Sequence, residues 1–175
     1  PVEFVNTLRG SASKPEYSRG NTFPAVTVPF GFNFWTPITE PNSSSWLYRY
    51  DRNTLQGFGV SHEPSPWVGD HGSIQIMPEV GNLQVAADAR GATFRHSEEI
   101  AQPHYYAVTL DSSSIRVELT PTDHASRFRF TFPPSENAYL LFDSIDQVTG
   151  DVQAQSDRRS IRGYVDHNGP RLYFV

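Results

Sequence analysis

Residues 60–73 read Val-Ser-His-Glu-Pro-Ser-Pro-Trp-Val-Gly-Asp-His-Gly-Ser, a stretch in which two prolines stiffen a connection holding His62, Glu63, Trp67, Asp70 and His71. An indole face suits the apolar C–H side of a pyranose, and imidazoles and carboxylates can hydrogen-bond its hydroxyls, so the chemistry on offer is sugar recognition. A structural reading stands beside it: Trp67 would plug the end of a β-sandwich while Asp70, next to Gly69, would cap a turn. The residue types leave both open.

Other chemistries find less support. His62, Glu63, Asp70 and His71 are all possible metal ligands, but their spacing matches no helix-borne His-Glu-x-x-His motif or other short metal pattern, so no metal is expected within this chain. His96, His104, His124 and His167 are scattered, as expected of surface or satisfied core histidines. Ser61, Ser65 or Ser73 could be drawn into a Ser-His-Asp triad, yet no Gly-x-Ser-x-Gly elbow presents any of them. Glycoside hydrolysis needs two carboxylates across a cleft. Glu98 and Glu99 are adjacent in a His-Ser-Glu-Glu stretch expected to be a solvated turn, Asp143 and Asp146 follow a strand end, and Asp123 lies between strands. None has a reason in the sequence to pair with another, so no catalytic residue is assigned.

The elements that must position residues 60–73 are strands. Fourteen prolines and twelve glycines in 175 residues leave no amphipathic helical run of a dozen residues, whereas period-two alternation recurs. Ile115, Val117 and Leu119 fall on one face of residues 114–120, with Arg116 and Glu118 on the other, and Phe128, Phe130 and Phe132 repeat the pattern. Further strands are expected at 73–78, 92–96, 104–110, 138–142, 158–165 and 171–175, separated by turns such as Asp111-Ser-Ser-Ser and Asn168-Gly-Pro. Residues 21–40 are rich in Pro and Phe without clean alternation, which predicts edge strands and ordered loops rather than central strands. The fold class is all-β, an antiparallel β-sandwich of two packed sheets with little helix. No repeat or linker divides the chain, so residues 1–175 are read as one domain.

A net charge of -5, a pI near 5.6 and the lack of a basic cluster argue against nucleic acid or an anionic membrane surface as partner. No run reaches the length of about 18 apolar residues that reads as a membrane-spanning helix. Zero cysteines exclude a disulfide framework and a thiol nucleophile. Pro1 is neither an initiator Met nor the start of a signal pattern, and the apolar residues 171–175 stop without a polar cap, so chain is expected beyond both ends.

Several separated motifs then fall in one order. They are Arg19-Gly-Asn-Thr-Phe-Pro-Ala-Val-Thr-Val-Pro-Phe-Gly-Phe, Gly57-Phe58 before Ser61-His62, and Gly69-Asp-His-Gly-Ser-Ile-Gln-Ile-Met-Pro. Tyr105-Tyr-Ala-Val-Thr-Leu, Ile115-Arg-Val-Glu-Leu-Thr-Pro-Thr-Asp and Arg127-Phe-Arg-Phe-Thr-Phe-Pro follow. In this order the chain resembles, over nearly its whole length, the N-terminal domain of glycoside hydrolase family 92, the calcium-dependent exo-acting α-mannosidases. The resemblance implies a β-sandwich packed on a larger α-helical barrel domain, an intramolecular partner absent from this chain. It implies an inverting reaction on an α-mannoside glycan, with a general-acid Glu, a general-base Asp and most calcium contacts on that helical domain. By motif match Trp67 and His62 are expected to contact the sugar, with Asp70 beside them, and the isolated domain is expected to be inactive. Secretion or a periplasmic or cell-surface location is a further expectation from the family. Two departures bear on linkage preference: Asn21-Thr-Phe-Pro stands where the family commonly has His-Thr-Phe-Pro, and the Gly-Cys of many members is missing. A free-standing carbohydrate-binding module and a purely structural scaffold are the alternatives.

Overall fold

A computed structural model describes residues 2–12, 16, 22–40, 47–61, 74–145, 149–156, 159–166 and 171–175. Among the described residues there are two short 3-10 helices, Val2–Phe4 and His96–Glu98, and thirteen strands: β1 (Phe34–Ile38), β2 (Thr54–Leu55), β3 (Gly57–Ser61), β4 (Ile74–Val80), β5 (Ala92–Thr93), β6 (Ile100–Gln102), β7 (Tyr105–Leu110), β8 (Ile115–Pro121), β9 (Ser126–Thr131), β10 (Ala138–Ser144), β11 (Thr149–Ala154), β12 (Ile161–Asp166) and β13 (Arg171–Phe174). All pairings are antiparallel. One four-stranded sheet runs β1-β3-β4-β10 and a second runs β6-β7-β8-β9. The all-β expectation therefore holds, but beyond the two main sheets there are a three-stranded sheet, β11-β12-β13, and the pair β2-β5.

Alternation in β7 and β8 builds the core. Tyr106, Val108, Leu110, Ile115, Val117 and Leu119 are all at most 1% exposed, while β8 also turns Arg116, Glu118 and Thr120 outward. Their register places Val117 opposite Phe130 and Leu119 opposite Phe128, so β9 adds its aromatic row to the same inner face. Phe58 of β3 bridges to the other main sheet, its ring 6.2 Å from Tyr106 and 6.4 Å from Phe128. Trp35 of β1 meets Phe128 edge-on at 5.1 Å. Burying each of these large side chains contributes about 1.5–3 kcal/mol.

The Pro- and Phe-rich segment behaves as its prolines require. β1 lies at a sheet edge, where Pro37 can sit opposite Phe58 without a donor that a central strand would need. Ahead of it, Val26 pairs with Trp35 through reciprocal bonds of 2.8 and 3.0 Å. Strands β2, β3, β6 and β11 are additions to the sequence reading. Each is short or interrupted by Gly, so its alternation is too brief to register.

Candidate functional site

Two adjacent antiparallel strands hold the segment singled out by its chemistry. β3 ends at Ser61 and β4 begins at Ile74, with Phe58 opposite Ile76 and Gly59 opposite Gln75. His62, Trp67 and Asp70, together with Glu63 and His71, lie outside the described residues. Their roots are described: Val60 and Ile74 are buried and pack with Val165, Leu172 and Phe174 of the three-stranded sheet.

Beside these roots opens a cleft of about 930 Å³. Trp35, Val60, Ile74, Phe128 and Phe142 line one side, and β12 and β13 line the other through Tyr164, Leu172 and Phe174. Asp151, Arg162 and His124 border it. His124 stacks on Phe32 with centroids 4.5 Å apart.

Two buried polar clusters elsewhere were not foreseen. Glu99 was expected in a solvated turn, but its side chain is 0% exposed. It accepts hydrogen bonds from Tyr48 Oη at 2.9 and 3.0 Å and from Tyr106 Oη at 2.6 Å, and it lies 2.7 Å from His96 Nδ1. His96 Nε2 sits 3.1 Å from the Arg52 carbonyl, so both ring nitrogens face oxygens and the imidazole is fixed, with Tyr50 stacked on it at 4.0 Å. Burial first, and then the neighbouring Glu99, push the Tyr48 and Tyr106 hydroxyls well above the usual tyrosine range. Glu98, one residue earlier, points outward to Arg95 at 2.7 Å. The adjacent carboxylates thus diverge.

The second cluster joins Arg90 to β10. Its guanidinium is 0% exposed, pairs with Asp143 at 2.5 Å and donates to the carbonyls of Gln56 and Val85. Asp143, expected after a strand end, lies within β10 instead. No signal in the sequence marks either cluster, because the partners lie 44 to 53 residues apart for His96–Arg52, Tyr48–Glu99 and Arg90–Asp143. Among the remaining histidines, His104 and His124 are exposed as expected, and His167 lies outside the described residues.

An all-β sandwich with an apolar cleft beside a chemically rich connection is the class of protein defined so far. The glycosyl hydrolase family 92 N-terminal domain profile matches residues 4–175, and the chain belongs to that family. A family 92 inverting mannosidase of Bacteroides thetaiotaomicron superposes with a TM-score of 0.87 at 36% identity, over 97% of this chain and 23% of that one. A second enzyme of that organism, a family 92 α-mannosidase also solved in complex with mannoimidazole, is 26% identical over 98% of this chain and 24% of its own. It superposes with a TM-score of 0.82, or 0.83 for the complex. A protein of Arthroderma benhamiae described as an uncharacterized secreted glycosidase is 21% identical over 139 residues, 75% of this chain and 17% of its own length. The chain thus spans about a quarter or less of the relatives it matches.

Proposed function

We propose that this chain is the N-terminal β-sandwich domain of an inverting α-mannosidase and that residues 62–73 form one wall of the pocket for a terminal mannose. The observation that carries this reading is the family 92 match across residues 4–175 together with 36% identity to an inverting mannosidase. Trp67 stacks on the C–H face of the sugar, and His62 and Asp70 hydrogen-bond its hydroxyls.

The general acid and general base belong to a helical domain outside this chain. The described carboxylates support that division, since Glu99 is sealed among tyrosines, Asp143 is paired with buried Arg90, and Glu118 accepts from Tyr105. Among the described residues no group of three or more His, Asp or Glu could hold a metal, and His62, Glu63, Asp70 and His71 lie outside them. On the family resemblance, calcium belongs mainly to the part of the enzyme outside this chain. Export of the whole enzyme is supported by the Arthroderma benhamiae relative's description as secreted.

The test is Trp67→Ala in the full-length enzyme, for which KM for α-mannosides rises roughly tenfold, a loss of about 1.4 kcal/mol, while the melting temperature holds. Unchanged KM with lowered stability would make the domain a scaffold. Mannoside turnover by the 175-residue chain alone would overturn the assignment of catalysis to another domain, and mannose affinity of that chain alone would favour a free-standing binding module.

A further inference from the structure

The polar face of the three-stranded sheet carries an aromatic pair set among planar hydrogen-bonding groups. Its register puts Asp151 opposite Tyr164, Gln153 opposite Arg162, Tyr164 opposite Tyr173 and Asp166 opposite Arg171. Directly opposed residues share a face and successive ones alternate, so these side chains stand together on one face. Val165, Leu172 and Phe174 stand on the other, packed with Val60 and Ile74 of the sandwich.

The groups on the polar face hold one another in place. Tyr164 and Tyr173 lie with ring centroids 6.0 Å apart. The Arg171 guanidinium sits 4.0 Å over the Tyr164 ring and donates to both Asp166 oxygens, at 2.7 and 3.1 Å. Gln153 donates to Asp151 at 2.7 Å. Tyr173 is nevertheless 69% exposed, so its ring stands available to a partner. Groups fixed before a ligand arrives lose little freedom on binding it.

This face is also a wall of the 930 Å³ cleft, through Asp151, Gln153, Arg162, Tyr164 and Tyr173. Val60 and Ile74, the roots of residues 62–73, line the same cleft. One continuous space therefore joins the base of that segment to the tyrosine pair. Its volume is near the upper end of the range of about 300–1,000 Å³ typical of ligand pockets, which suits a ligand of several rings. On the sheet face Asp151 and Asp166 balance Arg162 and Arg171, so neither an anionic nor a cationic ligand is favoured over a neutral one. Hydroxyls, which both donate and accept, match a carboxylate, an amide and a guanidinium side by side, and tyrosine rings match the C–H faces of pyranoses.

The geometry points to a second sugar subsite: Tyr164 and Tyr173, with Asp151, Gln153 and Arg162, hold the leaving-group end of an α-manno-oligosaccharide whose terminal mannose is bound at the other end of the cleft. This rests on the reading of the chain as part of an α-mannosidase. A cross-strand tyrosine pair could instead serve only the sheet, contributing about 0.2–1 kcal/mol to its stability. The two roles differ in which substrates feel the loss of a ring.

The test compares two substrates in the full-length enzyme. One is α-mannosyl fluoride, whose leaving group is too small to reach the tyrosines, and the other is whichever of α-1,2-, α-1,3- and α-1,6-linked mannotetraose the wild-type enzyme cleaves. Tyr173→Ala and Asp151→Ala are expected to raise KM for the tetrasaccharide roughly tenfold while KM for the fluoride stays within about twofold. Tyr173→Phe, which keeps the ring, and Val152→Ala, on the opposite face, are expected to leave both values unchanged. An unchanged KM for the tetrasaccharide in Tyr173→Ala and Asp151→Ala overturns the subsite and leaves the functional reading intact. An equal rise for both substrates, with a lowered melting temperature, overturns it in favour of a purely structural pair. A wild-type enzyme that cleaves neither substrate overturns the functional reading, and the subsite with it.

Discussion

Glu98 and Glu99 are chemically identical neighbours, yet one is solvated beside Arg95 and the other is enclosed by Tyr48, Tyr106 and His96. A buried carboxylate is tolerated only when its oxygens are hydrogen-bonded, and here three side chains do so. Removing it leaves two buried hydroxyls and an imidazole without their acceptor, so Glu99→Ala is expected to cost about 2–4 kcal/mol in urea unfolding at neutral pH. Glu98→Ala is expected to cost about 0.5 kcal/mol or less, since exposed ion pairs contribute little. The same cluster sets an alkaline limit. Tyr48 and Tyr106 titrate in the folded state far above their ordinary value of 10.0, so above that pH the unfolded chain loses protons that the folded one retains. Stability is fully present below pH 10 and falls as pH rises beyond it. Chemical denaturation between pH 9 and pH 11 checks this, with a shallower slope expected in Tyr48→Phe, while Tyr106 and Tyr105, also raised, keep contributing.

Turn chemistry decides how well individual elements form. The Asp111-Ser-Ser-Ser turn between β7 and β8 holds Ser114 at φ 55°, in the left-handed region that side chains disfavour. Gly relieves that strain but loses more entropy on folding, so Ser114→Gly is expected to stabilise the chain by about 0.5 kcal/mol, read as a small rise in melting temperature. Gly163 is the opposite case. A Cβ there would meet the Asp151 carbonyl oxygen, and the Phe174 ring at 2.7 Å. Gly163→Ala is therefore expected to loosen β11–β13 selectively, speeding amide exchange of β12 while leaving β7 and β8 protected.

For the whole molecule the decisive contact is between the two main sheets. Phe58 is 0% exposed and its ring faces both Tyr106 and Phe128, so Phe58→Ala is expected to cost about 3–5 kcal/mol and lower the melting temperature by roughly 6–20 °C in a cooperative transition. Much of this architecture was readable from the chain. Ile115, Val117 and Leu119 alternate with Arg116 and Glu118, and a period of two admits only a strand with one buried face. Proline in residues 21–40 placed β1 at an edge because a missing donor is harmless there. The family, too, could be read from separated motifs in order, while the roles of His62, Trp67 and Asp70 rest on that resemblance and on residue chemistry alone. Only the tertiary structure decided which of two adjacent glutamates turns inward, that Arg90 meets Asp143, and that β11–β13 form a separate sheet over an apolar cleft. Alternation records that a face is buried, but its partner is chosen by chain segments some fifty residues away, such as Tyr48 for Glu99 and Arg90 for Asp143. Local sequence holds no record of that distance.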